Sequence, residues 1–257
     1  MTNNQKIGLI TTLLILSIIA VFSLNPIAQD LSYHNFIDKR PWLNIANFGD
    51  VSSNIPYIIV GLMGLIFTVQ SHNNTQKFQN PIESIPFIIA FIGILLVGFG
   101  SGYYHLNPDN HTLIWDRIPM TIGFSAIFAI IIGERINLKL GLILLPILLA
   151  VGLFSIYYWN LTEQLGNGDL RLYALVQFFP ILAIPLIIAL FKAKYSGSRY
   201  LGEMVLWYVI AKIFEHFDGD IFELTNQIIS GHTLKHLASA LATYGLVRYV
   251  KLRFTIK

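Results

Sequence analysis

GSGYYHLNPDNHTLIWDRIPM, residues Gly100 to Met120, decides how this chain is read. It closes one long apolar run and opens the next, yet it carries Ser101, His105 and Asp116, groups that are costly to bury in an apolar setting. Outward from it the sequence is greasy: 54% of residues are hydrophobic and 12% charged, with a mean hydropathy of +0.62. That composition lies outside the range of soluble domains and indicates a polytopic membrane protein.

Runs near the roughly 20 residues needed to cross a bilayer fall at Ile7–Leu24, Val51–Val69, Ile85–Tyr104, Thr112–Gly133, Leu138–Tyr157, Leu172–Phe191, Tyr200–Phe217 and Thr233–Tyr249. The expected fold is therefore an all-α bundle of eight helices, with no repeat, low-complexity stretch or linker dividing it. The first run resembles a signal peptide in having one lysine before it, but no small-x-small cleavage site follows, and it reads as a retained helix. Alternating the connections between the two sides places eleven Lys and Arg on the side of the N-terminus and four on the other. The positive-inside rule then puts both termini in the cytoplasm and the Asn25–Asp50 segment outside. The basic residues form no stripe, which speaks against a nucleic-acid partner. With no cysteine, thiolate metal sites and disulfides are excluded, leaving His, Asp and Glu as the strong ligands.

Ser101 and His105 stand four apart at the end of the third helix and share one face. Asp116 lies about one turn into the fourth, and His232 and His236, again four apart, open the eighth. The alternation brings all three segments to the non-cytoplasmic side. A His pair at that spacing can bind one metal ion, and a third His with a carboxylate fits a catalytic zinc site with an open position for water. Other readings of the same residues remain open: histidines bonding neighbouring helices, Asp116 paired with Arg117, and Ser101 as a small residue for close packing. His216, beside Lys212, Glu215, Asp218 and Asp220 in the seventh run, is a rival ligand or a contact to a ligand. His34, His72 and His111 fall in polar connections and read as solvated, and Trp42, Tyr57, Tyr103, Tyr104, Trp115, Tyr157, Tyr158 and Trp159 read as an interfacial belt.

The motifs SGYYH, WDRIPM and HTLKH resemble the Ser-x-x-x-His, Asp and His-x-x-x-His of the CREST superfamily, which comprises alkaline ceramidases, progestin and adipoQ receptors and Per1-like proteins. The resemblance runs from about Ala46 to Tyr249, and NFGDVSSNIPYIIVGL is most similar to the entry segment of the alkaline ceramidases. It implies a seven-helix core, residues 46–257, preceded by an extra N-terminal hydrophobic helix and outer loop, residues 1–45. It also implies zinc on His105, His232 and His236, with hydrolysis of a ceramide-like lipid amide to a sphingoid base and a fatty acid. In that chemistry Asp116 is the general base and Ser101 a hydrogen-bond donor to the oxyanion. Some members carry an acidic calcium site ahead of the core; the comparable stretch here offers Asp38, Asn47 and Asp50 but no Glu. The competing class is a non-enzymatic lipid receptor of the progestin and adipoQ type, which usually brings a long soluble region, against six residues before the first helix here and about eight after the last. The composition is compatible with a bacterial inner membrane, and nothing in the sequence speaks to oligomeric state.

Overall fold

A computed structural model describes residues 1–256 of the chain. It is all-helical, in agreement with the sequence pattern. The elements are α1 (Asn3–Phe22), α2 (Phe48–Ser52), α3 (Ile55–Ser71), α4 (Ser84–Leu106), α5 (Asn110–Arg135), α6 (Leu138–Gln164), α7 (Arg171–Leu190), α8 (Ser198–His216), α9 (Asp218–Leu224) and α10 (Gly231–Leu252). Each of the eight apolar runs becomes a long helix. Two details differ. The run Val51–Val69 is broken between α2 and α3 at Ser53 and Asn54, where Pro56 has no amide to donate back to Ser52. The short α9 lies in a segment too brief and too acidic to register as a span.

Among the described residues six helices, with α2 and α3 counted as one, are long and apolar enough to cross a membrane. The long helices α8 and α10 fall outside that group because of polar residues such as Lys212, Glu215, His232, Lys235 and His236. α10 buries twelve residues, among them both of its histidines, and packs against α8 and α3. α3, α4, α5, α7, α8 and α10 surround a central cavity, while α6 backs α5 and α1, which buries no residue, lies against α7.

The two ends of the bundle are marked by contacts between distant segments. At one end, Thr255 bridges Tyr195 and the Lys77 ammonium donates to the carbonyls of Lys251 and Arg253. There the fully buried Arg253 pairs with Glu134 among the rings of Phe78, Phe87, Tyr195 and Tyr249, and Lys6 lies over Phe191. At the other end, the amide of Leu170 donates to Ile27, Asn47 donates to the His105 carbonyl, and Arg40 reaches Gln227 and Ile228. The connections thus alternate between ends as the hydrophobic pattern implies.

Close helix approach at the second end depends on glycine. Pro119, inside α5, leaves the Trp115 carbonyl without its helical donor. That carbonyl leans on α4 at Gly100, where a Cβ would sit 2.0 Å from the oxygen. Gly231 plays the same part between α10 and α8, its missing Cβ falling 2.3 Å from the Phe214 carbonyl.

Candidate metal centre

The sequence-distant groups meet at this second end. His105 comes from the last turn of α4, and His232 and His236 from the first turns of α10. All three are buried, at 1%, 4% and 3% exposure. Their ring centroids form a near-equilateral triangle with sides of 4.9, 4.8 and 4.7 Å. One nitrogen from each lies within 4.8 Å of the others, a group able to hold a metal ion.

Local chemistry explains why the rings point inward. α10 starts at Ser230, whose hydroxyl accepts from the Thr233 amide at 3.0 Å, while Asp218 of α9 accepts from the His232 amide at 2.7 Å. With both N-terminal amides occupied by side chains, His232 and His236 are free to stack one turn apart on the buried face. His105 is set by the Asn47 side chain holding its carbonyl at 2.8 Å. From above, Phe36 packs its ring 4.6 Å from that of His105 and 4.2 Å from that of His232, a hydrophobic cover over the triangle.

The donor atoms fit a metal. His236 Nδ1 is engaged by Ser53 Oγ at 2.8 Å, and Ser53 in turn donates its single hydroxyl proton to the Asp50 carbonyl at 3.0 Å. The serine oxygen is then the acceptor and the imidazole the donor, so the proton sits on Nδ1 and the Nε2 lone pair is free. His236 Nε2 is buried with no partner among the described residues. The Nε2 atoms of His105 and His232 approach to 3.3 Å, which matches the edge of a tetrahedron with nitrogen bonds of about 2.0–2.1 Å. An imidazole fixed through its far nitrogen by an outer partner is the usual way proteins orient a metal ligand.

Ser101 and Asp116, both buried, line a cavity of about 450 Å³ together with His236. Away from them its walls are mostly apolar, including Ile94, Val97, Met120, Phe124 and Ile184. A family model described as Ceramidase matches residues 42–217. The chain belongs to the ceramidase family. As a ceramidase it is a hydrolase of the linear amide bond of ceramide, a membrane enzyme with a lipid substrate, and the metal dependence of the family accords with its three-histidine group. Membership favours the enzyme over the receptor.

The structure sorts the readings left open and changes two expectations, for His34 and for the aromatic belt. Asp116 does not pair with Arg117; that guanidinium turns away to Gln29 and to the rings of Trp159 and Tyr173. Close packing in Gly100-Ser101-Gly102 falls to Gly100, and Ser101 faces the cavity. His216 stays outside the histidine triangle and packs on Phe217, while its neighbour Glu215 receives both Lys212 and Lys235. His34 is half-buried, bonded to the Tyr104 hydroxyl at 2.8 Å and to Asn110 at 2.9 Å. Of the aromatic belt, Trp42, Tyr103, Trp115 and Tyr157 are exposed as expected, but Tyr57, Tyr104 and Trp159 are buried core.

The residues named for calcium make other contacts, while Asp50 Oδ2 is buried with no partner among the described residues. Asp38 is ion-paired with Arg40 at 2.7 Å, whose hydrogen bonds hold its carboxyl below the usual carboxylate range. Asn47 holds the His105 carbonyl, and Asp50 accepts from Thr233 at 2.8 Å.

The sequence reading missed Ser53, Phe36 and Lys235, the last with its ammonium 2.9 Å from His232 Nε2. Only Ser53 had a signal, since Pro56 marks a helix break three residues on.

Proposed function

We propose that this ceramidase is a zinc enzyme, with His105, His232 and His236 as the ligands, and that it cleaves a ceramide-like lipid into a sphingoid base and a fatty acid. The observation that carries the reading is the buried histidine triangle beside an apolar cavity of about 450 Å³, of a size to take lipid chains. Zinc is the natural occupant of an all-imidazole site in a chain without cysteine, and such a site leaves a fourth position open. When bound, zinc would lower the pKa of a water to about 7 and so supply a nucleophile at neutral pH.

The chain's own residues do the rest. Asp116 takes the proton of the attacking water and passes it to the leaving amine. Ser101, one helical turn from His105, donates a hydrogen bond to the amide oxygen as it gains charge. Phe36 limits bulk water above the histidines, which strengthens every electrostatic contact below it. The apolar lining between α5, α7, α8 and α10 receives the hydrocarbon chains, so that the polar amide is left at the level of Ser101 and Asp116.

Residues 46–257 form the catalytic bundle in this reading, with residues 1–45 an accessory helix and outer loop. The charge bias supports a site on the non-cytoplasmic side, and a bacterial inner membrane suits the composition. Metal analysis and lipid mass spectrometry on the purified chain test the assignment together. His105→Ala and His236→Ala are expected to lose both zinc and hydrolysis, and Asp116→Asn to keep zinc and lose most turnover. Unchanged zinc in both histidine variants would sink the ligand set, and full turnover in Asp116→Asn would remove Asp116 as the base.

A further inference from the structure

Arg117 follows the proposed base directly in sequence, and the function above gives it no task. Its side chain is 6% exposed and lines the cavity, and among the described residues it forms no ion pair. A buried cation without a carboxylate needs other support, and the fold has built it. The guanidinium lies 4.4 Å from the ring centre of Trp159, 4.8 Å from that of Tyr173 and 5.8 Å from that of Tyr33, each within cation–π range. Nη2 donates to Gln29 Oε1 at 2.6 Å. Gln29 is anchored in turn through its amide to Glu163, which also accepts from Trp159 Nε1 at 3.0 Å.

That leaves Nη1 buried with no acceptor among the described residues. A guanidinium carries five N–H donors in a rigid fork suited to paired oxygens, and an unmet donor in a buried place is costly. The surrounding residues come from the outer loop, the end of α6 and the start of α7, the end of the bundle that holds the histidines.

We propose that Arg117 is an anion-receiving subsite at this end of the cavity, where its free Nη1 edge takes an anionic oxygen from the polar end of a bound lipid. The chemistry is phosphate or carboxylate oxygen. It has two sources: a phosphate esterified to the head-group hydroxyl of the lipid amide, or the carboxylate of a free fatty acid. The proposal rests on the lipid-amide reading for its ligands, and its test reads binding so that the two can fail separately.

The full-length chain carrying Asp116→Asn, to keep amides intact, is reconstituted in phosphatidylcholine nanodiscs and titrated calorimetrically with N-hexanoyl sphingosine, its 1-phosphate ester, and laurate. With Arg117 present, at least one of the two anions is expected to bind more tightly than the neutral amide, by about 10- to 100-fold, the range of a charge-assisted hydrogen bond. Arg117→Gln is expected to remove that excess and leave the neutral amide unchanged, and Arg117→Lys to keep only part of it. Preference for the phosphate ester identifies the head group as the source, and preference for laurate identifies the free acid. Equal affinity for all three ligands, a preference that survives Arg117→Gln, or an equal loss for every ligand would overturn the subsite and leave Arg117 a brace for the outer loop. If Arg117→Gln does not fold, Arg117→Lys decides: no selective loss for the anions refutes the proposal. Should the wild-type chain hydrolyse none of the amides, the binding preference still stands or falls on its own.

Discussion

Replacing Ser53 by alanine tests the metal centre without touching a ligand. In the native protein the Ser53 hydroxyl donates to the Asp50 carbonyl and accepts from His236 Nδ1–H at 2.8 Å, which keeps the Nε2 lone pair turned toward the other histidines. Removing the oxygen takes the closest acceptor from that N–H in buried surroundings. Asn54 Nδ2, 3.5 Å away, cannot take its place: it already donates to the Asp50 carbonyl and has no lone pair to accept.

A stranded buried donor costs about 1–3 kcal/mol. The cost falls on the metal-bound state, because without metal the imidazole can move its proton to Nε2 and escape it. Metal affinity should therefore drop by about 10- to 100-fold, equivalent to about 1.4–2.7 kcal/mol, the range known for outer partners of metal ligands. The assay is competition with a graded series of zinc chelators, reading bound metal by mass spectrometry, with thermal stability of the metal-free protein as the control. Affinity within twofold of wild type would refute the assignment of the proton to Nδ1. A loss of stability in the metal-free protein as large as the loss of affinity would show that Ser53 acts on the fold and not on the metal.

Other outcomes follow from the same coordinates. Gly100→Ala places a methyl 2.0 Å from the Trp115 carbonyl, a backbone atom that cannot swing aside; about 1–3 kcal/mol of overpacking should lower the melting temperature by several degrees and spread α4 from α5, and an unchanged melting curve would contradict the close crossing. Asp38, bonded to Arg40, has its pKa lowered in the folded chain, so its contribution to stability is fully present above the unfolded value of about 3.9 and is lost as the pH falls through the lower folded value. Asp38→Asn should remove that contribution at neutral pH and flatten the acid limb of the stability curve; an identical acid limb would refute it. Phe36→Ala should admit water above the histidines and lower turnover while leaving zinc bound, as metal content and hydrolysis measured together would reveal.

Much of this protein was legible before any coordinates. Eight apolar runs near the thickness of a bilayer predict eight long helices, because no other structure satisfies so many backbone amides in hydrocarbon. The spacing of Ser101 with His105, and of His232 with His236, places each pair on one helical face, and the alternation of connections brings both pairs to one end of the bundle. Those are consequences of local geometry and of the solvent, and a sequence carries both.

Which way each side chain turns, and what it finds there, depends on contacts between residues far apart in the chain. Asp116 and Arg117 are adjacent, yet about 100° around a helix sends one toward Ser101 and His236 along the cavity and the other into a cage of Trp159, Tyr173 and Gln29. Tyr57, Tyr104 and Trp159 have the composition of an interfacial belt but are buried, since rotation about the helix axis is set by packing. Ser53 reaches His236 across 183 positions because Pro56 breaks the helix and α10 crosses α3. The sequence by itself determined how many long apolar helices there are and which of their residues carry polar groups; only the tertiary fold decided which of them meet, because that is settled by the mutual rotation and close approach of helices, a property of pairs of segments that no single segment encodes.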